Sequence, residues 1–294
     1  MRLEMAKVYA ALAGQVLISA GTYLVAKVAL ASFGPWVLLA LRFLIAAPAF
    51  ALLLALGPGP LWPRGIWQRK GELLALCCGP LNQLLFLAGL SASTPTHAAL
   101  LYALTPIGVY LYARMRLTER PSRLKLVGIG LAFLGVALVL ASRGAVADPT
   151  RTATLHGDLL ILAAVGVWVV YSVEGKKIAA RDGAMQAAGW ASILGLLAML
   201  PVMPLLLHPA LLRAAPASAW LGAIYLALVT SVLSYFLWYY ALRRLEASKV
   251  AVFANLQPVA TALLARAFYG EALPLPLLAG GALVLAGVYV TDRG

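Results

Sequence analysis

The stretch from Thr96 to Leu140 is written twice in this chain. With Pro106 set on Pro258, one fixed offset and no gap bring Glu119 onto Glu271, Arg114 onto Arg266, Leu104 onto Leu256, Gly128 onto Gly280 and Gly135 onto Gly287. In each copy an apolar, helix-length run carries an internal proline and ends at an arginine and a glutamate. A second apolar run rich in Gly and Leu follows. Whatever one copy folds into, the other must fold into as well, so the chain is a repeat architecture before any local detail is read.

The rest of the chain says which solvent the repeat faces. Hydrophobic residues are 63% of the sequence and charged residues 11%, whereas a soluble domain is about half apolar and a quarter charged. There are too few polar groups to cover a surface in water, so long apolar runs in lipid account for the balance. A net charge of +13 raises the question of nucleic acid. The cations, however, sit in short gaps between apolar runs and form no basic stripe interleaved with aromatics. Basic loops on an anionic leaflet fit better, and no nucleic-acid partner is expected. Cys77 and Cys78 are adjacent inside an apolar run, which is neither a disulfide framework nor a metal-ligand spacing. The first apolar run, from about Val8 to Ala31, is longer than a signal-peptide core and reads as a retained first span.

A helix needs roughly 20 apolar residues to cross the hydrocarbon. Ten runs qualify: Val8–Ala31, Pro35–Leu56, Gly71–Leu90, Thr96–Met115, Ser122–Ala141, His156–Lys176, Ala184–Leu207, Ala217–Leu242, Ser248–Phe268 and Pro274–Val290. Five precede the longest gap and five follow it. The expected organisation is a first five-helix repeat at 1–143, a linker at 144–155 and a second repeat at 156–294. An odd number of spans makes the second repeat enter from the opposite side, so the repeats are inverted about an axis in the membrane plane. The fold class expected is all-α integral membrane, with ten transmembrane helices as two inverted five-helix repeats. Most of the 23 Lys and Arg residues fall on one side if both termini are cytoplasmic, which sets the orientation. The two copies agree: the loop around Glu119 carries Arg114, Arg116, Arg120, Arg123 and Lys125, and its twin around Glu271 carries Arg266.

These features together resemble the EamA family of the drug/metabolite transporter superfamily. The residues that carry the resemblance are Ala-Leu-Thr-Pro at 103–106 with Glu119, Asn-Leu-Gln-Pro at 255–258 with Glu271, and the Tyr-Ala-Leu at 240–242 before the second copy. The resemblance spans essentially the whole chain. It implies a basket of helices around a central cavity, with the fifth and tenth helices at the periphery. Length and layout are similar to the YddG-type amino acid exporters, which implies export of neutral or aromatic amino acids from a bacterial inner membrane. Exporters of lipophilic drugs or cations in the same superfamily are the alternative.

Solute sites in inverted-repeat carriers lie near the midplane, where the repeats meet. Polar and aromatic residues at i, i+3, i+4, i+7 share a helix face. Gly79, Asn82, Gln83 and Phe86 form one such stripe, and the repeat offset sets Ser231, Ser234, Tyr235 and Trp238 on it. Aligning Lys27 with Lys176 sets Ser19 and Thr22 on Trp168 and Tyr171. Tyr102 shares a face with Thr105, and Asn255 with Pro258. The stripes are expected to line one cavity. Trp168, Tyr171, Tyr102, Tyr235, Trp238 and Tyr239 would be its aromatic walls, and Asn82, Gln83, Thr105, Ser234, Asn255 and Gln257 would bond a zwitterion. Interfacial anchoring of Trp and Tyr, and packing by Ser and Thr, are the competing explanations for any one of them. Pro106 and Pro258 each remove a backbone hydrogen bond, which suits a hinge or a static kink equally. Gly128, Gly135, Gly280 and Gly287 read as close-packing positions.

Arg42 lies roughly 10 Å into its helix by helical rise. It can meet a carboxylate there or extend back to the headgroups, and headgroup contact is the expectation. Lys27 lies close to a span end, and His97 is expected to be solvated. The carboxylates, from Glu4 and Glu72 to Glu271 and Asp292, all fall in loops or near span ends. Without a deep acid, a cationic substrate and strong proton coupling are disfavoured. Nucleotide sugars would want more cations than Arg42 and Lys27. No nucleophile–base pair, phosphate loop or metal cluster lies within the spans, so neither an enzyme nor a cofactor is expected. The partners expected are a small-molecule substrate, amino acids above all, and the lipid bilayer, with the chain as a monomer or homodimer.

Overall fold

In hydrocarbon every backbone polar group must be satisfied inside its own segment, which leaves the helix as the form for runs like these. The computed structural model describes residues 2–57, 59–63, 65–93, 98, 101–143, 154–260, 263 and 275–294, and all regular elements among them are helical. The first, α1, is Arg2–Leu56. A straight helix of that length would run to about 80 Å, well beyond a bilayer. It breaks at Gly34, whose φ of 65° and ψ of 173° suit glycine, and Pro35 starts the second arm. The arms fold back on each other: Val8 and Leu12 share an apolar cluster with Phe50 and Leu54.

The chain continues through α2 (Lys70–Ser91), α3 (Thr105–Arg116), α4 (Arg123–Arg143), α5 (Leu155–Arg181) and α6 (Ala184–Met199). It ends with α7 (Ala217–Leu242), α8 (Ala247–Val252) and α9 (Leu275–Arg293). Among the described residues α1, α2, α5 and α7 are long and apolar enough to cross a membrane, and α6 is a shorter apolar helix. The run Ala184–Leu207 does not stay helical to its end. With Pro201 and Pro204 unable to donate, α6 stops at Met199 and only a short helix, Met203–Leu206, follows. Thr96, His97, Arg266 and Glu271, with most of the 144–155 linker, lie outside the described residues.

Two further departures from regular helix matter for the site. The run around Pro106 turns at Ala103–Leu104 before α3 begins, and α8 passes into a 3₁₀ turn at Phe253–Leu256 before Pro258. The repeat offset maps one break onto the other. In the middle of α7, Tyr225–Ser234 is a π-helix, and the Ser231 hydroxyl donates to the Leu226 carbonyl, five residues back, at 2.9 Å.

The helices α4 and α9 meet through glycines. A Cβ on Gly128 would lie 2.6 Å from the Gly287 carbonyl oxygen, and one on Gly135 would lie 2.6 Å from that of Gly280. Gly128 therefore meets the repeat equivalent of Gly135, and Gly135 meets that of Gly128. Such crossed contacts are what an axis exchanging the two copies produces. Backbones this close gain dispersion contacts that no larger side chain would permit.

Two larger apolar clusters hold most of the rest. One gathers Leu12, Phe50, Leu76, Val173 and Leu242, and the other gathers Ala29, Phe33, Leu87, Ile161 and Leu226. Between the clusters α1 carries Gln15, Ser19, Thr22 and Tyr23, α2 carries Asn82 and Gln83, and α7 carries Thr230 and Tyr235. The outward faces carry exposed Leu17, Leu24, Leu52, Leu111, Leu134, Leu221 and Leu285, the surface a bilayer would cover.

Candidate substrate cavity

Between the two clusters a cavity opens, lined from both parts of the chain. Its empty space is ≈ 820 Å³ with the open mouth included. The first arm of α1 turns Gln15, Ser19, Thr22 and Tyr23 into it, and the second arm brings Arg42. From α2 come Asn82, Gln83 and Phe86, and from α5 Trp168. The helix α7 supplies Thr230, Tyr235 and Trp238. The two broken helices contribute matched residues. Tyr102, Ala103 and Thr105 line it from one, and their repeat equivalents Ala254, Asn255 and Gln257 line it from the other, with Pro258 beside them. Because proline has no N–H, Pro106 cannot bond the Tyr102 carbonyl, nor Pro258 that of Ala254. Both bereft residues are in the wall.

The walls are aromatic in two groups. Tyr23, Phe86 and Tyr102 stack edge to face, with centroids 5.7 Å apart for Tyr23–Phe86 and for Phe86–Tyr102. Opposite them Trp168 lies 5.4 Å from Tyr235 and 5.5 Å from Trp238. Rings locked against each other in this way hold their faces in place for a solute. Trp238 is held further by its indole N–H, which donates to the Ser172 hydroxyl at 3.3 Å.

Some polar groups here are occupied. Asn82 Nδ2 donates to the Ala164 carbonyl at 2.8 Å and to the Tyr102 hydroxyl at 3.1 Å. Gln15 Nε2 donates to Ser19 Oγ at 2.8 Å. The hydroxyls of Thr22 and Thr230 join the two parts of the chain at 2.9 Å. Others are not. Among the described residues, the buried side-chain polar atoms without a partner are Gln15 Oε1, Arg42 Nε, Gln83 Oε1, Thr105 Oγ1, both amide atoms of Asn255 and the Tyr171 hydroxyl. All but the last belong to residues lining this cavity. A buried polar group left unpaired costs about 1–3 kcal/mol, and here several converge on one space.

Of the residues expected to form the site, Asn82, Gln83, Tyr102, Thr105, Trp168, Tyr235, Trp238, Asn255, Gln257 and Pro258 stand in the wall. Tyr171, Tyr239, Ser234 and Pro106 do not. Tyr239 donates its hydroxyl to the Tyr171 carbonyl at 2.7 Å, and its ring stands edge-on to the Tyr171 ring, centroids 5.3 Å apart. That pair backs Trp168 and Tyr235 from behind. Ser234 is buried away from the opening, and Thr230 faces it instead, because the wider π-helical turn shifts the phase of a stripe drawn with α-helical spacing. Pro106 is buried beside Thr105 at the start of α3.

The expectation for Arg42 needs correction. It does not reach the headgroups: the residue is 2% exposed, Nη2 donates to Ser231 Oγ at 2.9 Å, and the side chain lines the cavity. The arms of α1 and the π-helix enclose it, so extension towards the membrane surface is blocked. Gln15 and Tyr23 were not expected in the site. Gln15 shared the i, i+4, i+7 face of Ser19 and Thr22, a signal that was available.

The family profile described as the EamA-like transporter family matches residues 6–141 and again 155–291. An "Uncharacterized transporter" of Archaeoglobus fulgidus is 30% identical over 97% of this chain and 97% of its own. The "Probable terminal-alkyne amino-acid exporter" of Streptantibioticus cattleyicolor is 30% identical over 99% and 95%. The "Probable amino-acid metabolite efflux pump" of Salmonella typhimurium is 30% identical over 92% and 90%. A solved crystal structure covering 98% of this chain and 97% of its own superposes with a TM-score of 0.76 at 21% identity, a likeness of fold.

Proposed function

Since the chain belongs to the EamA-like transporter family and is a multi-pass membrane transporter, we propose that it exports small amphipathic metabolites, neutral and aromatic amino acids above all, through the central cavity. The observation that carries this reading is the set of buried, unpartnered polar atoms that both parts of the chain turn into one aromatic-walled space. A packed interior would have paired them or replaced them by apolar groups. The names of the relatives from Streptantibioticus cattleyicolor and Salmonella typhimurium favour amino acids. Among the described residues lining the cavity none is an acid, which counts against lipophilic cations.

The organisation proposed is two inverted five-helix repeats, 1–143 and 156–294, in a bacterial inner membrane with both termini cytoplasmic. The double match of the family profile and the crossed glycine contacts of α4 and α9 support it. Transport would proceed by alternating access, with the breaks before Pro106 and Pro258 as the points that bend. At the end bearing Arg69 and Lys70, ion pairs tie the two parts of the chain together. Arg181 bonds Glu72 at 2.6 Å and Arg116 bonds Glu174 at 2.5 Å. In the proposed cycle these pairs part for the cavity to open at that end.

Proteoliposomes holding the purified chain and loaded with labelled phenylalanine or leucine should show saturable efflux, lowered several-fold by Trp168→Ala with folding intact. Efflux no faster than from protein-free vesicles, while another solute passes, overturns the substrate. Wild-type flux in the variant moves the site elsewhere. Accessible-cysteine labelling of the two termini from opposite faces of the membrane would overturn the inverted arrangement.

A further inference from the structure

A guanidinium stands buried in the bundle with no acid beside it among the described residues. Arg42 is 2% exposed, and of its five N–H donors one goes to Ser231 Oγ at 2.9 Å. The Nε donor has no acceptor in the protein. Among the described residues lining the cavity there is no Asp or Glu, and the other polar groups, such as Gln83 and Asn255, are neutral. The described lining therefore carries one positive charge in a low-dielectric surrounding, where an uncompensated ion is costly.

From this charge balance we infer that the group recognised is the carboxylate of the solute, bound by Arg42, and that the solute's amine is dispensable. The substrate class is then organic monocarboxylates with an apolar or aromatic body, of which zwitterionic amino acids are one instance. This rests on the cavity being the transport site and goes beyond that reading by naming the recognised group. A monoanion brings cavity and solute to net zero. A zwitterion leaves the site at one positive charge, and a solute with an amine but no carboxylate raises it to two. The free Nε–H offers a charge-assisted bond to a carboxylate oxygen. The aromatic groups on either side, Tyr23 with Tyr102 and Trp168 with Trp238, would take the apolar body.

The test compares three ligands with one body: N-acetylphenylalanine, phenylalanine and phenylalaninamide, at about pH 6, below the ordinary α-amino range. Binding to the purified full chain in detergent is read by tryptophan fluorescence, since Trp168 and Trp238 are in the wall. The expected order is the N-acetyl acid first, then the amino acid, then the amide, with the amide weaker than the N-acetyl acid by roughly tenfold to hundredfold, the loss of one charge-assisted hydrogen bond. Arg42→Gln should erase the order and Arg42→Lys should keep part of it. The wild-type series stands by itself should a variant misfold. An amide that binds as well as the acid, an order that survives Arg42→Gln, or no binding by any of the three overturns the inference. Flux of the same ligands in proteoliposomes separates the two readings. Ordered binding without flux removes the transport proposal and leaves the carboxylate site. Flux that favours the amide does the reverse.

Discussion

The polar groups buried in the middle of the bundle are only partly paired, whereas the charges buried at its charged end have partners. At the charged end each strong group has partners. Glu174, with a fully buried side chain, accepts from Arg116 at 2.5 Å and Lys177 at 2.7 Å, and Tyr112 donates to it at 3.2 Å. Glu119 accepts the Ala247 N–H and the Ser248 hydroxyl, both at 2.6 Å, at the start of α8. Lys125, 1% exposed, bonds Glu246 at 2.6 Å. In the cavity the atoms of Arg42, Gln83, Thr105 and Asn255 are left open. The same chain can satisfy buried polar groups, so the open ones are not a failure of packing. Paired groups hold the two parts of the chain together, and the unpaired groups carry a cost that a solute bound as proposed would offset.

This contrast can be broken by substitution. The largest effect belongs to Glu174→Ala, which strips charge-assisted bonds from three partners. It should destabilise the folded chain by ~1.5–3 kcal/mol, with Arg116 and Lys177 partly rehydrated. The measure is the unfolding temperature in detergent, and an unchanged value would mean that the charged end does not hold the bundle. Next comes Glu119→Ala, which uncaps α8 and should cost about 1–2 kcal/mol by the same measure. A loss of flux greater than the loss of folded protein would assign Glu119 more than a capping role. The smallest effect has the opposite sign. Thr105→Val keeps the shape and removes an unpaired hydroxyl, so it should stabilise the chain by about 0.5–1 kcal/mol while lowering flux. If it destabilises the chain instead, the hydroxyl has a partner and the contrast between the regions is lost.

Much of this was legible along the chain. The i, i+3, i+4, i+7 stripe on α2 led to Asn82, Gln83 and Phe86, since an uninterrupted helix keeps its phase. On α7 the same rule found Tyr235 and Trp238 but put Ser234 where Thr230 stands, because no proline or glycine announced the π-helix at Tyr225–Ser234. Arg42 was misjudged for a different reason. Depth along a helix can be counted from its start, but the direction of a long side chain depends on what surrounds it. Here Ser231, on a helix far away in sequence, gives it a partner inside. Tyr171 and Tyr239 shared faces with true wall residues, and only their mutual contact shows that they stand behind the wall.

What the order of residues determined alone was the repeat, the apolar runs, the glycines suited to close packing, and the placing of acids in loops or near span ends. These depend on periodicity, helical rise and the cost of charge in lipid, all local to one segment. Which polar groups would be paired and which left open was decided only by the tertiary structure. A hydrogen-bond partner for a buried group comes from another helix, often in the other repeat, so its presence or absence is a property of how helices cross and cannot be counted along any one of them.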